Sequence, residues 1–506
     1  MHHPPGLASP AALSSRSSPM TSHVAPPDRR SSPPPASGGE QLRGNMGTFE
    51  LTFTALAFNA PLAVVAGFIP VIAGFENGLG SPLLFPAMGV LLLLFSVGLN
   101  AMAGRMEKPG AFYGYITRGL GRPLGLASAF FAVLVYVGLG AGTFTLLGVA
   151  AGDFADNVLG LENSGPWWAW ALLGWSVVVA LSLLNIGVSA KVLGIAMLFE
   201  VAIIAVWNAR VLFDGGPDGR DVPVFDHVFD GSIALGLLFV AMCMTGFESL
   251  QVFREETDAP ERTVPRATSW FLIILSVMYG ITTLVYVIGQ GRGDGLAAGA
   301  ADPTGTVLES MQIYAGSLAS DAASLFLITS AIACTLAVQN IAARYVYALG
   351  RDKVVPRVLG NVSQKHGSPV PASIFTGVAI AVVLMAPALG DADPVKSYAV
   401  LLGLAGYGIV LLWVLTSAAI VVFFRRHGDG QVTMWRGLVA PVLALIGLCV
   451  VAWLATTNLG DLVGDVRLAQ LILAGAGLVA LAGGVLALWW RRVDPQTYQV
   501  IGRQGE

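Results

Sequence analysis

The hydrophobic residues of this chain are grouped into long apolar runs that are separated by short polar connections. Beyond residue 45 there are twelve such runs, each long enough to cross a hydrocarbon core of about 30 Å as an α-helix. The predicted spans are at about 50–73, 82–104, 123–150, 167–185, 189–209, 231–256, 267–290, 321–349, 369–389, 397–424, 437–457 and 468–490. Because an open sheet edge cannot satisfy its backbone groups inside a bilayer, this pattern predicts an all-α polytopic membrane protein with 12 transmembrane helices.

Composition supports a membrane protein over a soluble one. Of the 506 residues 55% are hydrophobic and 12% are charged, and the mean hydropathy is +0.71. Soluble domains carry about 25% charged residues. Since the apolar runs follow one another closely, residues 46–492 are predicted to form one membrane domain rather than several soluble ones.

The two ends of the chain differ from this domain. Residues 1–45 are rich in Pro, Ser and Arg and have no apolar core of a signal peptide, so they are predicted to be a disordered tail. Met1, Met20 and Met46 all remain possible starts of translation. Residues 493–506 are predicted to be a short second tail.

The distribution of basic residues predicts the orientation of the spans. When the tails and alternate connections are assigned to one side, 23 of the 28 Lys and Arg residues lie there and 5 lie opposite. Connections rich in Lys and Arg stay in the cytoplasm. Both termini are therefore predicted to be cytoplasmic, in a multi-pass protein of the inner or plasma membrane.

Cofactor chemistry is not expected. The three cysteines lie inside apolar runs, and all six histidines lie in the N-terminal tail or in connections, so neither a metal site nor a histidine relay is predicted. No GxxxxGK[ST] phosphate-binding motif is present, and no His or Asp lies deep in a span. The sequence therefore favours neither an enzyme nor an ATP-driven pump, and no metal, cofactor or nucleic acid partner is expected.

Two acids lie inside the predicted spans, Glu200 in the fifth and Glu248 in the sixth. A charged group inside a bilayer costs a few kcal/mol, so such residues face a cavity or a partner. Glu200 is interpreted either as a proton carrier or cation ligand that couples transport, or as a buried hydrogen-bonding group. Glu248 is interpreted either as an acceptor that caps exposed N–H groups or as a direct ligand or proton carrier.

Spans one and six are predicted to be interrupted. The first holds Pro61, Gly67 and Pro70, and the sixth holds Gly246 two residues before its acid. These spans are the first members of two five-span sets, at about 50–209 and 231–424. Interrupted helices at matching places indicate a binding site between two inverted repeats.

Three stretches in the same order resemble the amino acid-polyamine-organocation (APC) superfamily, over residues 50–492. They are "KPGAFYGYITRGLGRPLG" after the second span, "GFESLQVFREETDAPERTVPRA" at the sixth, and "AVQNIAARYVYALGRDKVVPRVL" at the eighth. The resemblance implies a LeuT-like fold of two inverted five-helix repeats, with helices one and six broken and two extra helices at about 437–490. It also implies an amino acid substrate held near the midplane by backbone groups of the broken helices.

Carried over residue by residue, the resemblance implies a substrate site. The implied substrate site comprises Ala63, Val64, Val65, Ala66, Gly67, Val240, Met242, Cys243, Thr245, Gly246, Tyr136, Thr335 and Gln339. The register in the first span stays open by two or three residues, because only Gly67 matches the glycine-rich turn of many members. The candidate coupling and gating residues are the two buried acids Glu200 and Glu248, and Glu255, Glu256 and Arg344 at the cytoplasmic mouth of the predicted site, where Arg351 and Asp352 also lie.

These features predict a secondary active transporter that imports a neutral amino acid by alternating access and is coupled to protons. Met242, near the place of a gating aromatic in some relatives, favours a pocket that is less selective for cations. A polyamine or organocation carrier or exchanger of the same fold, and an amino acid sensor that does not transport, remain alternatives. The expected partners are the amino acid, protons and the lipid bilayer, while the oligomeric state stays open.

Overall fold

The apolar runs of the sequence fold into helices. The computed structural model describes residues 46–106, 112–161, 164–183, 190–248, 250–251, 257–291, 294–363, 368–427 and 432–502. The tail predicted over 1–45 and the predicted gate residues Glu255 and Glu256 lie outside these residues. From Met46 onward the described residues belong to one compact unit.

Eighteen α-helices occur in the described residues, with π-helical turns at Ile72–Asn77 and Trp435–Val439 and 3₁₀ turns at Gly78–Leu83 and Arg357–Gly360. The helices are α1 (Thr48–Asn59), α2 (Pro61–Gly67), α3 (Ile69–Val71), α4 (Leu84–Ala103), α5 (Phe112–Leu120), α6 (Arg122–Asn157), α7 (Trp167–Leu183), α8 (Ala190–Asp214), α9 (Ile233–Cys243), α10 (Pro260–Gln290), α11 (Asp294–Ala301), α12 (Pro303–Ala315), α13 (Ser317–Arg351), α14 (Val370–Leu389), α15 (Pro394–Arg426), α16 (Ala440–Val463), α17 (Val466–Val493) and α18 (Pro495–Val500). Over the same residues the extended structure is limited to two isolated β-bridges.

Ten helical stretches in the described part of the chain are long and apolar enough to cross a membrane. One of them runs through both α1 and α2, from Thr48 to Gly67. Two further apolar helices, α7 and α9, fall at the predicted fourth and sixth spans but are shorter. The sixth is short because α9 stops at Cys243, inside the run that the sequence predicts as one span over 231–256.

Several helices begin where local chemistry favours a helix start. Asp393 precedes α15, and its side chain accepts a hydrogen bond from the backbone N–H of Lys396 at 2.8 Å. Asp465 caps α17 in the same way through the N–H of Leu468 at 2.7 Å. Proline follows the cap directly in α15, where its missing N–H costs nothing.

The interior is organised around α6, which packs against α7, α13, α15 and α17. An aromatic cluster lies beside the end of α9, where Phe247 is fully buried between Phe95 of α4 and Trp413 of α15, with ring centroids at 5.9 and 5.7 Å. These contacts anchor the chain immediately after Gly246.

The outer surface of the bundle is apolar as well. On α17 the side chains of Leu471 and Leu478 are 69% and 65% exposed. Exposed apolar patches of this kind mark surfaces that contact a membrane or another protein. The bundle is therefore suited to a lipid environment.

Candidate functional site

The first predicted span is interrupted at Ala60, between α1 and α2. Ala60 adopts the left-handed conformation with φ 55° and ψ 70°. The cause is Pro61, which has no N–H and disfavours the right-handed helical conformation of the residue before it. The resemblance to the family predicts that the interruption of the first span falls at Ala63–Gly67. In the structure those residues are helical, and the break precedes them.

Glu200 of α8 lies at the start of α2. Its Oε2 atom accepts hydrogen bonds from the backbone N–H of Leu62 at 3.1 Å and from the hydroxyl of Ser330 at 2.8 Å. Glu200 is only 3% exposed. Because the first N–H groups of a helix have no partner within it, the break creates the donor that this carboxylate uses. Glu200 thus ties α2, α8 and α13 together.

The sixth predicted span is interrupted after Cys243. Met244, Thr245 and Gly246 form a turn, and Gly246 has a φ of +105°. Glu248 accepts a hydrogen bond from the N–H of Gly246 at 2.9 Å through Oε2, and from the hydroxyl of Tyr136 at 3.3 Å through Oε1. This is the capping contact that the sequence allows as one interpretation of Glu248.

Asn59, the last residue of α1, joins the two interruptions. Its Nδ2 atom donates to the carbonyl of Cys243 at 2.9 Å and to that of Thr245 at 3.3 Å. The buried hydroxyl of Tyr279 on α10 donates to Asn59 Oδ1. The last carbonyls of a helix lack partners within it and carry partial negative charge, so an amide donor is well matched to the end of α9.

A cavity of about 180 Å³, here called the central cavity, lies between the two interruptions. Its walls come from α1, α2, α6, α9, the turn after α9, and α13. The lining residues are Asn59, Ala63, Val64, Phe68, Tyr136, Leu139, Thr143, Leu146, Met242, Cys243, Thr245, Gly246, Glu248, Ala331, Cys334, Ala337, Val338, Asn340, Ile341 and Arg344. Most of this wall is apolar, and Asn59, Tyr136 and Glu248 place polar groups at the turn after α9.

The structure brings together many of the residues that the sequence assigns to the site. The predicted residues that line the central cavity are Ala63, Val64, Tyr136, Met242, Cys243, Thr245, Gly246, Glu248 and Arg344. The predicted residues that lie elsewhere in the bundle are Val65, Ala66, Gly67, Val240, Thr335, Gln339 and Glu200.

Those outlying residues are engaged in packing or in other hydrogen bonds. The amide of Gln339 donates to the carbonyl of Ser373 on α14 at 2.8 Å, and the hydroxyl of Thr335 bonds within its own helix. The carbonyl of Gly67 accepts from the hydroxyl of Tyr398 on α15 at 3.2 Å. A helix presents only one face to a cavity, which explains why Val65 and Ala66 turn away while Ala63 and Val64 line it.

Sequence reasoning missed several lining residues, of which Asn59 is the most informative. Asn59 stands two residues before Pro61 in an otherwise apolar run, and this signal could have identified it. Cys334 lies in an apolar run without a motif around it, and it lines the cavity together with Cys243. Thr143 and Asn340 carry no motif that would separate them from other polar residues in spans.

The two ends of the central cavity differ. At one end, called the mouth, Arg344 of α13 is exposed. At the other, called the far end, Phe68 and Leu146 are buried, and a Cβ atom on Gly67 would lie 2.7 Å from Leu146 Cδ2. In this conformation the cavity is reached from the side on which α13 ends.

Gly246→Ala is expected to destabilise the protein. The positive φ of Gly246 costs an L-residue about 1–2 kcal/mol, although the nearest atom to an added Cβ, Phe271 Cζ, is 3.9 Å away. Thermal unfolding of the purified protein in detergent should therefore show a lower midpoint. Gly475→Ala is the control, because Gly475 is helical with open space around it. Equal midpoints for Gly246→Ala and the wild type would contradict this account.

A bundle of apolar helices around a cavity between two interrupted helices is the architecture of a multi-pass membrane transporter. The sequence model of the amino acid permease family matches residues 49–485. The chain belongs to this family, which confirms the resemblance to the APC superfamily and makes the protein a transporter rather than an enzyme.

Individual relatives are distant but cover most of the chain. It is 22% identical over 416 residues to the aromatic amino acid transport protein AroP of Escherichia coli K12, covering 80% of this chain and 87% of the relative. It is 23% identical over 424 residues to the branched-chain amino acid permease BcaP of Bacillus subtilis, covering 78% and 83%. An uncharacterized transporter of Mycobacterium tuberculosis is 25% identical over 285 residues, covering 55% and 59%. These comparisons support amino acid transport.

Proposed function

We propose that this protein is a secondary active transporter that imports a neutral amino acid across the cytoplasmic membrane by alternating access, coupled to protons. The observation that carries the proposal is the central cavity between two helix interruptions. The carbonyls at the end of α9 offer acceptors for an ammonium group, and Ala63 and Val64 of α2 lie in the wall of the same cavity.

The proposed architecture has twelve transmembrane helices. It adds α7 and α9 to the ten long apolar helices and arranges the first ten spans as two inverted five-helix repeats, followed by α16 and α17. The basic residues support cytoplasmic termini and a place in the inner or plasma membrane. In that orientation the mouth of the central cavity faces the cytoplasm.

A neutral, apolar substrate side chain fits the wall of the cavity best. Around the polar turn the wall is formed by residues such as Val64, Leu139 and Ile341. Glu248 is the acid in the wall, and both of its oxygens already accept hydrogen bonds from Gly246 and Tyr136. The names of two relatives point the same way, because branched-chain and aromatic amino acids have largely apolar side chains.

Glu200 is the proposed coupling group. It is buried and contacts both the interrupted first span and α13, so a change in its protonation alters hydrogen bonds on two walls of the cavity. A neutral carboxyl donates where the carboxylate only accepts. We assign Arg344 at the mouth to gating, together with Glu255 and Glu256 as proposed from the sequence, and Glu248 to holding the turn after α9.

The proposed function is tested by uptake into proteoliposomes that contain the purified protein. A panel of radiolabelled amino acids and putrescine is supplied with and without an inward proton gradient. We expect gradient-driven accumulation of an amino acid with an apolar side chain. Empty liposomes and liposomes with a dissipated gradient are the controls.

Other outcomes separate the alternatives. Uptake only into liposomes preloaded with substrate would make the protein an exchanger. Putrescine uptake without amino acid uptake would favour the organocation carrier, with Glu248 in the wall as the ammonium ligand. Saturable binding without flux would overturn transport in favour of a sensor.

Substrate is expected to protect two cysteines from modification. Cys243 and Cys334 line the central cavity, whereas Cys449 lies on an exposed face of α16. A small methanethiosulfonate reagent added at the mouth should inhibit uptake, and saturating substrate should slow this inhibition. Cys334→Ser should reduce the sensitivity and Cys449→Ser should leave it unchanged. Inhibition that persists in a Cys243→Ser, Cys334→Ser double variant would place the reactive thiol outside the cavity.

A further inference from the structure

Residues 494–502, here called the docked segment, turn back onto the bundle after α17. Asp494 starts the turn: its side chain accepts hydrogen bonds from the N–H of Gln496 at 3.0 Å and from the N–H and hydroxyl of Thr497 at 3.2 and 2.7 Å. The helix α18 follows, and Ile501 after it is only 1% exposed. The segment is therefore a folded element packed on the bundle.

The first contact of the docked segment is with the start of α6. The guanidinium of Arg122 stacks on the ring of Tyr498, with its carbon 5.2 Å from the ring centroid, and donates to the carbonyl of Gln499 at 3.2 Å. A cation over an aromatic face and a charge-assisted hydrogen bond act here on neighbouring residues. Arg122 thus sets the position of α18.

Gly502 makes the second contact. Its N–H donates to Asp352 Oδ2 at 2.8 Å and to the hydroxyl oxygen of Tyr113 at 2.6 Å, while that hydroxyl donates to the same carboxylate oxygen at 2.6 Å. Its φ is +86°, and an added Cβ would lie 2.5 Å from Thr117 Cγ2. Only glycine fits this position without strain, so the contact of residue 502 with Asp352 and Tyr113 requires a glycine.

Asp352 makes this contact energetically important. Its carboxylate is 1% exposed and stands at the C-terminal end of α13, where the partial negative charge of the helix disfavours an anion. Burial and the neighbouring Asp352 raise the pKa of Tyr113 well above its usual value, so this hydroxyl keeps its proton and donates. The N–H of Gly502 is a second donor to the same oxygen, and its loss leaves a buried carboxylate less well compensated.

The docked segment is connected to the central cavity through packed side chains. Asp352 is the C-terminal cap of α13, and it lies about two helical turns beyond Arg344 at the mouth. On α13, the ring of Tyr345 lies 5.5 Å from that of Tyr136. Tyr136 in turn donates to Glu248 in the turn after α9.

We propose that the docked segment is a latch: by joining α5 and the start of α6 to the end of α13, it stabilises the conformation in which the central cavity is open at the mouth. Release of the segment lets the bundle leave that conformation more readily. This proposal concerns a conformational equilibrium of the chain, and it does not depend on which substrate is carried.

The test is amide hydrogen exchange, measured by mass spectrometry on the full chain in lipid nanodiscs. Gly502→Val disrupts docking through its φ and its clash with Thr117, and Gln499→Val is the matched control, because the Gln499 side chain is exposed. We expect exchange in residues 494–502 to be about tenfold faster or more in Gly502→Val, as lost hydrogen bonds predict. Exchange around 240–248 should change by about twofold or more in the same variant. Gln499→Val should match the wild type in both regions.

A chain that ends after Val493 provides a second measurement. A synthetic peptide of residues 494–506 should slow exchange in residues 112–122 of this shortened chain, and the same peptide with Gly502→Val should not. Rapid exchange of residues 494–502 in the wild type would overturn docking. Loss of docking without any change at 240–248 would overturn the latch. Both measurements are made without substrate, so they remain interpretable even if the protein transports nothing.

Discussion

Glu200→Gln is expected to abolish proton-driven accumulation while leaving exchange of substrate intact. Glutamine has nearly the same shape as glutamate and still offers an oxygen to Leu62 or Ser330, but it cannot take up or release a proton. One proton moving down a gradient of one pH unit supplies about 1.4 kcal/mol, which is about tenfold accumulation. In proteoliposomes with such a gradient, the variant should only equilibrate its substrate, a loss of about tenfold relative to the wild type.

The matched control is Glu309→Gln, because Glu309 is an exposed acid on α12. It should accumulate substrate as the wild type does. Counterflow, in which labelled substrate exchanges against unlabelled substrate inside the liposome, shows that the Glu200→Gln protein is folded and active. Undiminished accumulation by Glu200→Gln would assign Glu200 a purely structural role and move the coupling group elsewhere.

Asn59→Ala is expected to bind substrate more tightly but to transport it more slowly. The Asn59 amide donates to the carbonyls of Cys243 and Thr245, which the proposed substrate ammonium must use. Displacing two hydrogen bonds of about 0.5–1.5 kcal/mol each opposes binding, so their removal should lower the Kd by about tenfold. The same substitution cuts the link between the two interrupted spans and leaves the buried Tyr279 hydroxyl without this acceptor. The maximal rate of uptake should therefore fall.

The Kd is measured by binding of labelled substrate to the purified protein, and the rate by uptake at saturating substrate. Asn458→Ala serves as the control, since the Asn458 amide bonds to the Leu454 carbonyl of its own helix, α16. A higher Kd in Asn59→Ala would indicate that the asparagine contacts the substrate directly instead of competing with it.

Local features of the fold are predictable from the sequence because they depend on neighbouring residues. The apolar runs give the helices, Asp393 and Asp465 followed by helical segments give their caps, and Pro61 and Gly246 lie at or beside the interruptions. The exact position of the break in the first span is harder to predict from the sequence. Pro61, Gly67 and Pro70 all permit a break, and the packing of α2 decides between them.

The partners of the polar residues could not be predicted. Glu200 meets the N–H of Leu62 across 138 positions, and Asn59 meets Cys243 across 184. Each pairing requires helices that are distant in sequence to lie side by side with a particular face inward. For Glu248, the sequence allows two roles, and only the positions of Gly246 and Tyr136 favour capping.

The docked segment illustrates the same limit more strongly. Residues 493–506 are polar and short, so the sequence suggests a simple tail. The contacts that hold the segment come from α5, the start of α6 and the end of α13 together, and no single one of these stretches carries a motif for it. Asp352, which the sequence places near the gating residues, accepts hydrogen bonds from Tyr113 and Gly502.

The far end of the central cavity is closed by uncharged groups. Leu146 packs against Gly67, and the carbonyl of Gly67 accepts a hydrogen bond from Tyr398. Dissolved salt screens exposed charges over about 10 Å at 0.1 M but acts little on contacts of this kind, whereas apolar burial weakens on cooling. The two ends of one cavity therefore respond to different variables: ionic strength acts on the arginine at the mouth, and temperature acts on the seal at the far end.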